Sequence, residues 1–360
     1  MALYPDSGRE RSVAPQVLRD IVAAVFSSCA MRAADARLLA DALVDADLRG
    51  IHSHGVLRVP DYVAKLLTGG VDPRGTPRIV SERGAVLVAD GGNSMGQVGA
   101  TFAMGLAIAR ARDTGVAVVT LRGSNHCGAM DRYARMALAE DMIGIATTNA
   151  LPTMAPWGGA DKLIGINPLA FAAPAGTEKP FVLDMAFGAT AHGKMRVYAQ
   201  KGHALPEGWA FDSDGLPTTD VAKALTGLIR PIGEFKGVGL ALMTGILSAV
   251  LSGAAYGEVY GNMVDGAVAG ADGQFFMALD IRAFEQIDRF KSRIDALVCA
   301  VRSSRRAPGV DRLYVPGEME FDFATERKHN GIPLNDRTLG DIAIVARERG
   351  VAVPAEWSTP

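Results

Sequence analysis

Residues 85–121 read AVLVADGGNSMGQVGATFAMGLAIARARDTGVAVVTL, and this stretch decides the fold class. Ala85–Asp90 is a short aliphatic run that reads as a strand. Val98, Phe102, Leu106 and Ala109 recur at three- and four-residue spacing and predict one face of a helix closed by Gly115. Val116–Leu121 is a second strand, rich in β-branched residues. Strand, glycine loop, helix and strand in this order predict an α/β chain. The dinucleotide fingerprint GxGxxG is nevertheless absent. Glycines in Gly91–Gly99 are wrongly spaced, and no acidic residue closes a second strand about 20 residues on, so a Rossmann domain is not expected.

Upstream the chain reads as helix. Val17, Leu18, Ile21, Val22, Val25 and Phe26 fall on one helical face, and Leu39, Leu43 and Ala46 on the next, which stops at Gly50. Downstream, a helix is expected over 131–141, strands over Ile143–Asn149 and Phe181–Met185, and loops over the Gly/Pro-rich stretches Pro152–Gly159 and Gly202–Pro217. Helix returns over 283–301 and 336–349. The expected architecture is a mixed α/β core with a helical domain built from both chain ends.

Composition bounds the function. At ~150 residues per domain, 360 residues make about two to three domains. Basic and acidic side chains number 37 and 39, a net charge of −2, which argues against a nucleic-acid binder. Cys29, Cys127 and Cys299 are too few and too scattered for a disulfide framework or a metal knuckle. The N-terminus, MALYPDSGRERS, has no apolar signal region, so a cytoplasmic location is expected. Residues 237–257, GVGLALMTGILSAVLSGAAYG, are uncharged and long enough to span a bilayer, but their glycines and hydroxyls suit a buried core helix instead.

Two chemical decoys fail. Gly188–Lys194 fits GxxxxGK after the strand FVLDM, but Met195 stands where a nucleotide hydrolase needs a magnesium-binding hydroxyl. Such a glycine loop with its lysine could still receive a phosphate that is not transferred. The pair His52 and His54 lacks a third ligand nearby, so no metal is expected.

The remaining polar residues suggest acid/base chemistry on an anion. His54, in Ser53-His54-Gly55, can exchange a proton near neutral pH, and Arg58 can grip a carboxylate through its planar fork. His126 follows the strand Val116–Leu121 on a loop, where α/β folds place ligand-binding residues. Asp184, on the apolar strand FVLDM, needs a partner; a histidine fits, and an ionised Asp184 beside His54 would raise the imidazole pKa. Lys236, directly before the uncharged run, would attract a phosphate together with the helix N-terminus.

Several ordered segments resemble those of the malate/L-lactate dehydrogenase-like NAD(P)-dependent oxidoreductases: RGIHSHGVLRVPDY, DGGNSMGQ, SNHCGAMDRYA, APWGGADKLIGINPLAFAAP, FVLDMA, HGK, LPEGWAFDSDGLPTTD, FKGVGLAL and VPGEMEF. The resemblance runs from about Asp41 to Gly350. It implies a non-Rossmann cofactor domain around a mostly antiparallel sheet, a homodimer, and NAD or NADP as cofactor. The implied reaction is hydride transfer with a small 2-oxo or 2-hydroxy carboxylic acid; the alternative is a cyclic imino acid such as piperideine- or pyrroline-2-carboxylate. The implied division is a helical part at 1–75 joined by 303–360, a linking segment at 76–120, and a cofactor-binding, dimer-forming domain at 121–302.

The resemblance makes His54 the acid/base candidate, a role that falls in some members to the histidine here numbered 126. Asp184 would orient His54, while Ser53, Arg58, Thr148 and Asn149 would meet the substrate. Cofactor contacts would come from His126, Asp184, Met185, Ala186, Phe187, Gly188, Lys194, Phe235, Lys236, Gly317, Glu318 and Met319. The chain departs from the pattern at Ile166, where GTNP is usual, at Phe187-Gly188, where DMATS is usual, and at Thr244-Gly245, where an acidic residue is common.

Overall fold

The two ends of the chain meet. In the computed structural model, which describes residues 10–200, 202–256, 269 and 271–358, Glu10–Val13 (β1) pairs antiparallel with Ile332–Asn335. Most of MALYPDSGRERS, and Gly257 at the end of the uncharged run, lie outside the described residues. Helix α1 (Pro15–Ser28) opens on a proline, whose missing N–H costs nothing in a first turn. It buries Leu18, Val22, Val25 and Phe26 and leaves Val17 outside. Helix α2 (Ala33–Leu48) is followed by two tight 3₁₀ turns, His52–His54 and Val56–Arg58, and by α3 (Val59–Leu67). One core unites Leu18, Phe26, Leu43 and Tyr62 with Ile332, Leu339 and Ile342, so both chain ends build the helical part.

The central sheet follows. Strands β2 (Arg78–Arg83) and β3 (Val86–Asp90) form a hairpin, and α4 (Gly96–Thr114) carries the chain to β4 (Val116–Ser124), parallel to β3. Next come α5 (Asp131–Met136), β5 (Met142–Thr148), β6 (Pro152–Met154), β7 (Ile164–Gly165), β8 (Leu169–Ala173) and β9 (Phe181–Met185). The stretch expected as a helix over 131–141 is thus a short α-helix prolonged by a 3₁₀ turn to Glu140. Helix α6 (His192–Gln200) precedes β10 (Ala210–Phe211), β11 (Pro217–Thr218), α7 (Val221–Thr226), β12 (Leu228–Ile229) and α8 (Phe235–Gly245). The two Gly/Pro-rich stretches therefore hold short strands, β6 and β10. Strand β13 (Asp272–Asp280) and helices α9 (Ile287–Ser303) and α10 (Glu318–Asn330) lead to β14 (Ile332–Asn335) and α11 (Asp336–Glu348).

The seven-stranded order is β2-β3-β4-β13-β5-β8-β9, and only β3–β4 is parallel. The strand–helix–strand unit of residues 85–121 is therefore a single parallel pair set in an antiparallel sheet. Its glycines serve packing. A Cβ on Gly96 would lie 2.1 Å from the Asn125 carbonyl oxygen and 2.4 Å from that of His126, so glycine lets α4 start against the His126 loop.

Two expectations are corrected. Helix α4 packs on the sheet chiefly through Ala100, Ala103, Met104, Ala107 and Ala111; of the face that spacing predicts, Phe102 and Leu106 are half-buried against the same core, Val98 packs on the helical core and Ala109 is exposed. Small side chains let the helix axis approach the sheet closely, and the bulkier residues sit to the side. Nor is the uncharged run buried. Helix α8 and the π-type turn Ile246–Val250 bury Ala241, Thr244, Ser248 and Ala249, but Met243, Ile246, Val250 and Leu251 are exposed by 44–57%. No helix among the described residues is long and apolar enough to cross a membrane.

Candidate active site

The loop after α2 is shaped by a buried aspartate. Gly50, with φ 81°, ends the helix, and the Asp47 carboxylate then organises the turn. Asp47 Oδ1 lies 2.6 Å from His52 Nδ1, and Oδ2 accepts the Val56 N–H at 2.7 Å. A Cβ on Gly55 would sit 2.1 Å from Asp47 Oδ1, which is why glycine follows His54. His52 also faces Arg327 at 3.1 Å, so it is part of this scaffold.

His54 is turned the other way, into a cleft. Its Nδ1 lies 3.0 Å from Ser53 Oγ, and among the described residues Nε2 has no hydrogen-bond partner. Its ring stacks on His126, centroids 5.5 Å apart and planes 8° from parallel. Burial, with the Arg58 guanidinium adding to it, pushes the His54 pKa down to about 3. Burial also holds His126 well below the usual imidazole value, aided by His54 and Arg58. Behind His126 stands Tyr62, its hydroxyl 2.7 Å from Nδ1, and Gln97 Nε2 donates to the same hydroxyl at 3.0 Å.

Arg58 is held as a fixed fork. Its Nε donates to the Ser53 carbonyl at 2.8 Å and its Nη1 to Asp61 Oδ2 at 3.0 Å. Its Nη2 is turned toward Gly193, where a Cβ would stand 3.2 Å away. One arm of the guanidinium is thus left for an anion beside the two histidines.

The cleft encloses about 1550 Å³, open mouth included, large enough for a small acid and part of a dinucleotide. Its walls bring together Ser53, His54, Arg58, His126, Thr148, Asn149, Asp184, Met185, Ala186 and Gly317. Ile166, Pro168, Val182, Met185 and Ala186 give an apolar surface that fits a flat ring such as nicotinamide, while the Thr148, Asn149 and Ala150 N–H groups beside it are bonded within the protein. The Thr148 and Asn149 side chains are already engaged. Thr148 Oγ1 donates to the Gly273 carbonyl at 3.2 Å, and Asn149 accepts the Gly273 N–H at 2.9 Å while donating to the Ala255 carbonyl at 2.9 Å.

Other expected residues are placed elsewhere. Phe187 is buried in a separate core with Met195 and Ile229, and Gly188 bridges to Pro231. The Lys194 ammonium lies 4.8 Å from the centre of the Trp209 ring. Phe235 and Lys236 are exposed at the start of α8. Glu318 is buried in an ion cluster with Arg302 and Arg312, and Met319, next to it on α10, does not line the cleft.

Asp184 does not orient His54. Among the described residues it makes no hydrogen bond to either cleft histidine. Its Oδ2 accepts the Asp131 N–H at 2.9 Å, because the β8–β9 pairing carries it to the start of α5. Desolvation by the cleft walls, then the nearby Asp131 carboxylate, pushes its pKa up, although the side chain is exposed on the cleft side. The raised His54 pKa expected from such a contact is therefore replaced by a lowered one.

Several cleft residues escaped sequence reading. Asp131 is buried in ion pairs with Arg49 at 2.8 Å and Arg135 at 2.9 Å. Asp272 opens onto the cleft, with its pKa pushed up to about 7 by burial. Tyr62 and Gln97 lie inside RVPDY and DGGNSMGQ, so the ordered segments held a signal for them. Asp272 offered none.

Comparison with known proteins agrees with this architecture. The malate/L-lactate dehydrogenase family model matches residues 13–343. Malate dehydrogenase of Pyrococcus horikoshii is 38% identical over 325 residues, 88% of this chain and 89% of its own length. L-sulfolactate dehydrogenase of Methanocaldococcus jannaschii is 38% identical over 339 residues, 94% of this chain and 97% of its own. A Δ1-pyrroline-2-carboxylate/Δ1-piperideine-2-carboxylate reductase of Pseudomonas putida is 32% identical over 324 residues, 90% and 93% of the two chains. The solved structure of the Pyrococcus enzyme superposes with a TM-score of 0.90 at 34% identity, covering 98% of this chain and 99% of that one.

Proposed function

The chain belongs to the malate/L-lactate dehydrogenase family, and from that premise we propose that it is an oxidoreductase transferring hydride between NAD or NADP and a small 2-hydroxy or 2-oxo carboxylic acid. The observation that carries this reading is the stacked pair His54 and His126 with the free arm of Arg58 beside it, in one cleft. Arg58 receives the substrate carboxylate, and its two internal hydrogen bonds keep the fork in place. His54 Nε2 takes the hydroxyl proton in oxidation and returns it in reduction. The nicotinamide supplies or accepts the hydride. His54 is neutral before substrate enters, as a base must be. A bound carboxylate offsets the Arg58 charge and so raises the His54 pKa, which favours holding the proton once it has arrived.

The cofactor's phosphates fall to Lys236 and the N-terminus of α8, since Lys194 is stacked on Trp209. The exposed apolar face of α8 and of the turns after it supports a homodimer: among the described residues, Leu240, Met243, Ile246, Val250 and Leu251 form an exposed strip that a second copy would bury. Sedimentation of wild type against Ile246→Asp tests the dimer, and a monomeric wild type refutes it.

The activity test is a panel of 2-oxo acids, 2-hydroxy acids and cyclic imines followed by NADH and NADPH absorbance. Turnover of an open-chain 2-oxo acid is the expected result. Turnover of cyclic imines alone moves the enzyme to the imine-reductase class, and no turnover of any carboxylate overturns the reading.

A further inference from the structure

The two cleft histidines are stacked as if equivalent, but the groups behind them differ. His54 Nδ1 faces a serine hydroxyl that can rotate to donate or accept. His126 Nδ1 faces the Tyr62 hydroxyl at 2.7 Å, and that hydroxyl is itself addressed by Gln97 Nε2 at 3.0 Å. Tyr62 has one proton. With its oxygen accepting from Gln97, that proton points to His126 Nδ1, which must accept it. A neutral imidazole carries one N–H, so in His126 the proton is on Nε2.

The converse pattern needs either Tyr62 accepting from both Gln97 and His126, which strands its own buried proton, or the Gln97 amide reversed, with its carbonyl accepting from Tyr62 and Tyr62 accepting from His126. Gln97 is fully buried, and in the observed orientation its Oε1 is the atom without a partner. Reversal would strand an amide NH₂ there, and an unpaired buried N–H is tolerated less well than an unpaired carbonyl. Packing fixes the trio as well. Tyr62 is 2% exposed, and Gly96 is the glycine that lets the start of α4, and hence Gln97, press against the His126 loop.

We propose that Tyr62, backed by Gln97, is a positioning residue that locks His126 as the Nε2–H tautomer, a fixed hydrogen-bond donor to the substrate oxygen, and leaves proton exchange to His54 alone. This rests on the reading above that the reacting oxygen sits before the two histidines. The proton balance is simple. In oxidation the substrate O–H bond breaks and its proton forms a bond to His54 Nε2, while the hydride leaves for the nicotinamide. His126 keeps its N–H throughout. Burial keeps the Tyr62–His126 pair in its neutral form, since it raises the Tyr62 pKa and lowers that of His126; the different groups behind the two imidazoles, not burial, divide their roles.

The test is ¹⁵N NMR of the ligand-free full chain, with the His126 resonances assigned by their loss in His126→Asn. The expected wild-type spectrum has His126 protonated on Nε2 and unprotonated on Nδ1. Tyr62→Phe should release the lock, seen as a proton moving onto Nδ1. Its kcat should fall by roughly 10–100-fold, the usual cost of losing a ligand-orienting partner, with cofactor binding intact. Gln97→Leu should do the same to a smaller extent. A wild-type His126 carrying its proton on Nδ1 overturns the lock whatever the kinetics, as does an unchanged kcat in Tyr62→Phe. If no 2-oxo acid is turned over, the functional reading fails, and the wild-type spectrum still decides the tautomer.

Discussion

The two walls of the cleft are built on different terms. On the helical wall, from Asp47 to Tyr62, the groups around the reacting centre hold one another: Asp47 fixes the loop, Asp61 and the Ser53 carbonyl fix Arg58, and Tyr62 fixes His126. On the opposite wall, at β9, Asp184 is tied to a backbone N–H, and the cations that follow along the chain, Lys194 and Lys236, are turned onto a ring or exposed outside the cleft lining. The contrast separates two tasks. Proton transfer needs groups held in place before the ligand arrives, whereas a long anionic cofactor can be met by groups at the rim.

This difference sets the size of the expected effects. The largest belongs to the helical wall: His54→Ala should lower kcat by roughly 10²–10⁴, the usual share of a general acid or base, without weakening cofactor binding. Near-normal turnover in that variant, with His126→Ala inactive, would exchange the two histidines. Arg58→Ala comes next. It should raise KM for the carboxylate by about 10–100-fold, as for the loss of a charged hydrogen bond of ~1.5–3 kcal/mol. Arg58→Lys should recover only part, because an ammonium cannot keep both internal hydrogen bonds and the free arm. An unchanged KM in Arg58→Ala would move the carboxylate site along the cleft.

The rim wall gives smaller numbers and a sharper contrast. Lys236→Ala should raise the cofactor KM by up to about fivefold, the ~1 kcal/mol upper range for an exposed charge contact. Lys194→Ala should leave it unchanged, since that ammonium lies over Trp209. Equal effects from the two lysines would erase the distinction between them.

The same contrast marks how far the sequence could be read. Identities on the helical wall were legible because Ser53, His54, Arg58 and Tyr62 are close along the chain, and a tight loop brings near neighbours together. Sidedness was less so. On α4 the spacing signal marks bulky residues as the buried face, whereas close approach to the sheet favours alanine and leaves Phe102 and Leu106 half-buried. Hydropathy marks the uncharged run as core, but it does not say whether a face meets the chain's own core or is left open. Asp184 and Asp272 depend on strand register across the sheet, and single-strand patterns do not contain it. The spacing of the glycines in GGNSMGQVG argues against a Rossmann fingerprint, but the close approach at Gly96 becomes visible only once the His126 loop is in place.

The smallest effect is the most discriminating. A carboxylate touching His54 would sustain the imidazolium; Asp184 makes no such contact, and burial with Arg58 takes His54 down to about 3. Oxidation needs His54 neutral, so kcat/KM for the hydroxy acid should show no limb from this group between about pH 5 and 8. Reduction needs the proton, so its kcat/KM should fall about tenfold per unit as pH rises through the same window. Asp184→Asn should leave both profiles where they are. It should instead change stability. Asp184 has a folded pKa above its ordinary 3.8, so its charge disfavours the fold once pH exceeds that ordinary value, and the penalty is absent below it. Solvent reaches Asp184 and screens this penalty, so Asp184→Asn should raise Tm only slightly relative to wild type at pH 8 and lose that advantage toward pH 4. The asparagine Oδ1 can still accept the Asp131 N–H, so the loss of charge is isolated. A pH–rate profile that moves with Asp184→Asn, with no gain in Tm at pH 8, would return Asp184 to the side of His54 and make the two walls one catalytic unit.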